Sequence, residues 1–344
     1  MKFLVIFGGS SYEHEISIVS AITLKEKIKK HSLEFLFVDQ KRDFYLIEKN
    51  NMKSKYFSSG EYKNSQKVEL VKGGFKYSKG LLKKDYYVNF DTALNLIHGR
   101  DGEDGKIPAI LEFYAIKAIS PNIESCCISY NKLNTKMYAK EIGVNVIDYE
   151  IINKPETKFA FPVIIKPARL GSSIGVSVVK NQKEFEYAYD VAKEFDDLIL
   201  AEPFIEGIEE YNLAGYSGKN GFVYSKTEKV SKKEYLDFEK KYMDFTRKET
   251  EIQQIPEDVE MKIKNSFNKI YGSVFKNALI RCDFFVKEGI VYLNEINPVP
   301  GSMANYLFDD FDTVLEDIAN NVSLENKIDI TYEYINKIQT AKGK

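Results

Sequence analysis

Apolar positions fall into short runs and helical repeats that alternate from the start of the chain. Residues 2–7, Lys-Phe-Leu-Val-Ile-Phe, read as a buried strand ending at Gly8-Gly9-Ser10-Ser11. Ile18, Ala21, Leu24 and Ile28 then recur at helical spacing, and residues 33–38 form a second apolar run. A strand–loop–helix–strand opening predicts a parallel sheet and an α/β N-terminal domain. Residues 41–87 are polar and rich in Tyr and Lys, and no period assigns them. Residues 91–97 predict another strand, which ends in His98-Gly99-Arg100-Asp101-Gly102-Glu103-Asp104-Gly105. Residues 107–114 predict a helix, and Ser120-Pro121 a domain boundary.

Beyond that boundary, residues 131–142 predict a helix closed by Gly143. Residues 161–166 and 175–179 predict strands around a Gly/Ser loop, 184–195 a helix and 198–202 a strand. Glu206-Gly207 marks a second boundary, with later strands near 211–216, 278–286 and 290–296. The expected domains are therefore 1–120, 121–205 and 206–344, with no internal repeat.

Length agrees with this division, since 344 residues suggest two or three domains that bury ample core. Lys and Arg number 49 against 51 Asp and Glu, a net charge of −2. That balance argues against a general nucleic-acid or anionic-membrane binder. Cys126, Cys127 and Cys282 are odd in number, and two are adjacent. They imply no disulfide framework, and their spacing does not suit zinc. The opening apolar run is too short for a signal peptide, and no stretch is long enough to span a membrane. A cytoplasmic location is expected.

The last two strands carry the strongest chemical signal. Side chains alternate along a strand, so Arg281, Asp283 and Phe285 share one face, and Glu295 and Asn297 share another. Glu288-Gly289 signals a turn between them, and an odd-numbered turn would set Asp283 beside Glu295. Two carboxylates and an amide oxygen are hard ligands suited to Mg²⁺, and two carboxylates so close repel unless a cation lies between them. A solvated hairpin face would explain the same residues, but the apolar neighbours of these strands argue for burial.

A second signal is Lys166-Pro167-Ala168-Arg169-Leu170-Gly171-Ser172-Ser173-Ile174-Gly175. A strand-ending lysine before a glycine/serine loop offers a point charge and backbone N–H groups to phosphate. It is not a Walker loop, because a strand follows it and the lysine precedes the glycines. Lys132, Lys136 and Lys140 are spaced i, i+4, which by itself describes a solvated stripe.

Taken in order, these pieces resemble the ATP-grasp ligases, and within them the D-alanine:D-alanine ligase family. The resemblance is carried by the segments at Gly8–Glu15, His98–Gly105, Lys166–Gly175, Lys241-Tyr242 and Asn294-Glu295-Ile296-Asn297-Pro298-Val299-Pro300-Gly301. It implies a parallel-sheet N-terminal domain holding the first D-alanine, followed by two ATP-grasp domains that clamp the nucleotide. The implied reaction is ATP-dependent ligation of two D-alanines through a D-alanyl phosphate, for peptidoglycan precursors. Asp283, Glu295 and Asn297 match ligands of two Mg²⁺ ions, with Mn²⁺ as a substitute. Lys136, Lys166 and Lys241 match phosphate contacts, joined by Gly171 and Ser173 of the loop. Glu202, Phe204 and Ile205 match the segment that meets adenine, and Glu210 the ribose contact, with Glu209 adjacent to it. Glu13 matches the residue that receives the first ammonium, with His98 near. Arg281 and the Gly301 amide match the groups around the reacting carboxylate. Ser172, Tyr242 and Glu13 match a hydrogen-bonded trio. A homodimer is implied as well. The alternatives are another ATP-grasp carboxylate–amine ligase, one using D-lactate or D-serine included, and a non-catalytic nucleotide-binding protein.

Two positions depart from the family pattern. Pro298 follows the metal-site Asn297 where Thr or Ser is usual, and Tyr306 replaces a serine that holds the second substrate's carboxylate. In the run Ser302-Met303-Ala304-Asn305-Tyr306-Leu307, the Tyr306 hydroxyl, Ser302 or a backbone amide is the expected substitute, with Leu307 beside it.

Overall fold

The computed structural model describes residues 1–80, 84–230, 255–324 and 328–342. Strand β1 (Lys2–Gly8), helix α1 (His14–Lys27) and strand β2 (Ser32–Val38) open the chain. Then come β3 (Phe44–Ile47), helix α2 (Ser54–Ser58), β4 (Gln66–Val71), β5 (Gly74–Lys79), β6 (Lys84–Tyr87), β7 (Thr92–Asn95), helix α3 (Lys106–Phe113) and β8 (Ala118–Ile119). They make one sheet in the order β6-β5-β4-β3-β2-β1-β7-β8. The strands from β2 to β8 in that order are parallel, as the opening pattern predicts, whereas β3 to β6 extend the sheet antiparallel.

Helices α4 (Ile123–Ser129) and α5 (Lys132–Glu141) follow, the second capped by Asn131, whose side chain accepts from the Leu133 amide at 2.9 Å. Strands β9 (Glu150–Ile152), β10 (Val163–Pro167), β11 (Ser177–Val179) and β12 (Ile199–Pro203) form a second, antiparallel sheet ordered β11-β10-β12-β9. Helix α6 (Gln182–Lys193) covers it with Phe185, Ala188, Tyr189 and Ala192 buried, a helical spacing that explains why this segment coils.

The third sheet holds β13 (Glu209–Gly218), β14 (Gly221–Tyr224), β15 (Glu228–Lys229), β16 (Ile280–Lys287) and β17 (Ile290–Asn297). Helix α7 (Glu257–Tyr271) packs Ile263, Phe267 and Ile270 beneath it against Leu213, Ile280 and Cys282. Helices α8 (Phe311–Asn321) and α9 (Glu333–Ala341) end the chain.

One core is shared by distant segments. Phe3, Val5 and Phe7 of β1 and Ala21 and Leu24 of α1 cluster with Met303, Leu307, Leu315 and Ile318. Asp312 fixes this arrangement by accepting the Lys29 and Lys30 amides at 3.2 and 3.0 Å. Each large apolar side chain buried there contributes about 1.5–3 kcal/mol, so the chain's two ends stabilise each other. All three cysteines are free, Cys126 and Cys282 buried and Cys127 exposed. Among the described residues, no helix is long and apolar enough to cross a membrane.

Candidate active site

The β16–β17 hairpin brings the acidic residues together by a route different from the expected one. Lys287 pairs with Ile290, so Glu288 and Gly289 make a two-residue turn with φ of 51° and 73°, the left-handed pair such a turn requires. An even turn alone would set Asp283 opposite Asn294. The register shifts between Asp283 and Phe284, and this bulge pairs Asp283 directly with Glu295. Asn294 and Glu295 consequently both line the same cavity, which an unbroken alternation would forbid. The pairing continues across the sheet, Asp283 with Asn212 and Asn212 with Glu228. Arg281 Nε and Nη2 donate to the two Asp283 oxygens at 2.7 and 2.9 Å, and Asn297 Nδ2 donates to Asp283 Oδ2 at 3.1 Å. Lys132 Nζ lies 3.6 Å from Glu295 Oε2. The carboxylate pair and the Asn297 side chain thus bring oxygen donors onto neighbouring strands, with Arg281 and Lys132 already offsetting the carboxylate charge. That chemistry fits Mg²⁺.

A cavity of about 340 Å³ adjoins this row, between the second and third sheets. Its wall includes Lys166, Gly171, Ser173, Phe204, Ile205 and Glu210, all singled out in the sequence, and also Lys132. Glu210 is buried against the cavity, whereas Glu209 turns away to Lys229 at 2.6 Å and to the Tyr211 hydroxyl at 2.9 Å. Lys136 lies behind the wall rather than on it. Its Nζ is 2.9 Å from Glu202 Oε1 and donates to the Ile147 carbonyl at 3.2 Å. Lys166 Nζ approaches the same Glu202 oxygen at 2.7 Å. Burial pushes the Lys136 ammonium down to about 8; Glu202 opposes this and the Lys166 charge adds to it. Burial also pushes the Glu202 carboxyl up, but Lys166 and Lys136 together hold it below its ordinary value. Lys132, one helical turn before Lys136, presents its charge to the cavity and donates to the Leu170 carbonyl at 2.5 Å. The stripe reading of these lysines therefore fails for both.

Glu13 sits at the start of α1 and is 6 % exposed. Ser172 Oγ donates to its Oε1, joining the N-terminal sheet to the Gly/Ser loop. Glycine suits both approaches: at Gly99, whose φ is 65°, a Cβ would meet Glu13 Oε2 at 2.5 Å and Ser11 Oγ at 2.6 Å, and at Gly171 one would press Glu13 Oε1 at 2.9 Å and displace that carboxylate. Ser172 and Ser173 both hold φ near 58°, a left-handed conformation that costs serine energy and bends the loop toward Glu13. Burial, then the Glu103 charge, push the Glu13 carboxyl up to about 7, against Ser172, His98 and Lys132.

His98 Nε2 is 2.9 Å from Ser20 Oγ, which accepts the Ser302 amide at 3.0 Å. This contact ties the buried imidazole to the left-handed turn of Ser302, Met303 and Ala304, which follows Gly301. Leu307 is buried in the shared core. Its neighbour Tyr306 is 41 % exposed, but its hydroxyl donates to Glu228 Oε2 at 3.3 Å rather than standing free. Lys241 and Tyr242 lie outside the described residues. Sequence reading missed Lys132, Asn212 and Glu228. Only Lys132 carried a usable signal, as a cation one helical turn from another.

The sequence profile described as "D-ala D-ala ligase N-terminus" matches residues 2–121, and "D-ala D-ala ligase C-terminus" matches 134–311. The D-alanine--D-alanine ligase of Nitratiruptor sp. is 57% identical over 346 residues, covering 99% of this chain and 100% of that protein. That of Campylobacter jejuni is 52% identical over 348 residues, covering 100% of both. The crystal structure of D-Alanine-D-Alanine Ligase from Helicobacter pylori superposes with a TM-score of 0.83 at 44% identity, covering 95% of this chain and 100% of that one.

Proposed function

This chain belongs to the D-alanine--D-alanine ligase family, and we propose that the residues just described divide its reaction between them. It is an ATP-dependent ligase that joins two D-alanines through a D-alanyl phosphate, releasing ADP and phosphate, in peptidoglycan precursor synthesis. A carboxylate resists amines because oxide leaves poorly, so the first carboxylate must gain a phosphoryl group from ATP. The second amine then attacks the acyl carbon, loses a proton and expels phosphate.

The observation that carries the assignment of roles is the Asp283–Glu295 pair beside a cavity walled by Lys132 and Lys166. The adenine lies along Phe204 and Ile205, with Glu210 on the ribose. Lys132 and Lys166, joined by Lys241, contact the phosphates together with the Gly171 and Ser173 backbone, since phosphoryl transfer depends mainly on positioning and charge. Lys136 acts from behind, sharing Glu202 with Lys166 and so fixing where the Lys166 charge stands. Asp283, Glu295 and Asn297 would hold Mg²⁺, in two ions or replaced by Mn²⁺, which when bound neutralises phosphate charge. Glu13 receives the ammonium of the first D-alanine, beside His98. Arg281 and the Gly301 amide face the reacting carboxylate, and Arg281 stabilises the oxyanion formed on attack. Ser172, with Tyr242, closes the loop over Glu13 and keeps water from the acyl phosphate. Ser302 and Tyr306 stand at the second substrate, with Leu307 anchoring their turn in the core. We place residues 1–120, 121–205 and 206–344 as three domains of a cytoplasmic homodimer.

Phosphate release from ATP tests the function directly. Release should require D-alanine and give D-alanyl-D-alanine, with L-alanine inert. Equal release with L-alanine, or release without dipeptide, would refute the reading.

A further inference from the structure

Two buried polar residues of the third sheet, Asn212 and Glu228, are not used by the roles above. Glu228 is buried on the two-residue strand β15, and accepts from Asn212 Nδ2 at 3.1 Å and from the Tyr306 hydroxyl at 3.3 Å. Asn212 pairs across the sheet with Glu228 on one side and Asp283 on the other. Glu228, Asn212, Asp283 and Glu295 therefore form one continuous cross-strand row, with the candidate metal ligands at one end and Tyr306 tied to the other. The buried Asn212 Oδ1 has no hydrogen-bond partner among the described residues.

We propose that Glu228, seated by Asn212, is a positioning residue that fixes Tyr306 as a wall of the acceptor subsite and so restricts which second substrate is used. The inference rests on the placement of Tyr306 at that subsite. A tyrosine has one hydroxyl proton. When Glu228 takes it, Tyr306 has none left for the acceptor's carboxylate, so the ring, and not the hydroxyl, meets the substrate. The bond to a charged acceptor fixes the exposed ring in one orientation. Without it the ring can swing, and the pocket loses its fixed width.

The test is steady-state kinetics with separate donor and acceptor KM for D-alanine, together with product partition between D-alanine and D-serine acceptors. Glu228→Ala and Tyr306→Phe should each raise acceptor KM about tenfold, the scale of one charge-assisted hydrogen bond. Each should leave donor KM and ATP KM within about twofold, and increase the D-serine product. The double variant should be no worse than either single one, because both remove the same bond. Glu228→Gln, which keeps an accepting oxygen but not the charge, should recover part of the loss. Unchanged acceptor KM in Tyr306→Phe, or additive effects in the double variant, would overturn the inference. If Glu228→Ala does not fold, Tyr306→Phe decides alone, since it breaks the bond from the exposed end. Unchanged acceptor KM in Tyr306→Ala would instead refute the placement of Tyr306 itself.

Discussion

Glu13 gives a prediction in which stability and activity move oppositely with pH. Its carboxyl is pushed from an ordinary 4.5 up to about 7, by burial first and the Glu103 charge second. Between those values the folded protein holds a proton that the unfolded chain has released. Folding is thus favoured at low pH, and that advantage disappears as pH rises from 4.5 through 7. The displacement corresponds to roughly 3 kcal/mol, with little solvent screening at 6 % exposure. Activity should run the other way, because in the role proposed for Glu13 only the carboxylate receives the donor's ammonium. At pH 7 about half of the free enzyme is competent, at pH 6 about a tenth, so donor kcat/KM should fall about tenfold per pH unit on the acid side. Glu13→Gln supplies the control, mimicking the protonated form at every pH. Thermal unfolding of both proteins from pH 4.5 to 8 should give curves that diverge by up to roughly 3 kcal/mol, wild type becoming the less stable. Parallel curves, or a donor kcat/KM without an acid limb near pH 7, would refute the argument.

Glu202→Gln should cost about 3–5 kcal/mol, because Lys136 and Lys166 would then face each other buried beside a neutral amide; a denaturant midpoint equal to wild type would contradict this. Glu295→Gln should cripple turnover while the far-UV spectrum and melting temperature stay near wild type, and chelation of Mg²⁺ should abolish wild-type turnover. Full activity of the variant at low Mg²⁺ would sink the metal assignment.

What the sequence revealed and what it hid have separate physical causes. The apolar strands β1, β2, β10, β12, β16 and β17 were legible because each is flanked by glycine or polar turns. Strands β3 to β6 were not: β3 is a four-residue apolar run too short to read alone, and β4 to β6 extend the sheet antiparallel with much exposed, polar surface. Lys132 and Lys136 lie on one helical face, and only the placement of β10 and β12 separates a cavity-facing lysine from one buried behind it. Strand alternation could not decide between Glu209 and Glu210, because which face meets the cavity depends on partners far along the chain. The bulge at Asn294 left no local mark, so the Asp283–Glu295 pairing was anticipated for an incorrect reason.

The shared core has a consequence for the order in which the molecule can be made. The first sheet is finished by residue 119, yet the layer covering α1 comes from residues 303–319. During synthesis, the N-terminal third would wait with Ala21, Leu24 and their neighbours uncovered until nearly the whole chain had emerged. A truncated product ending after the first sheet should therefore be sticky and short-lived. The link from His98 through Ser20 to the Ser302 turn, which joins the early part to the late part, forms only when the last quarter of the chain arrives.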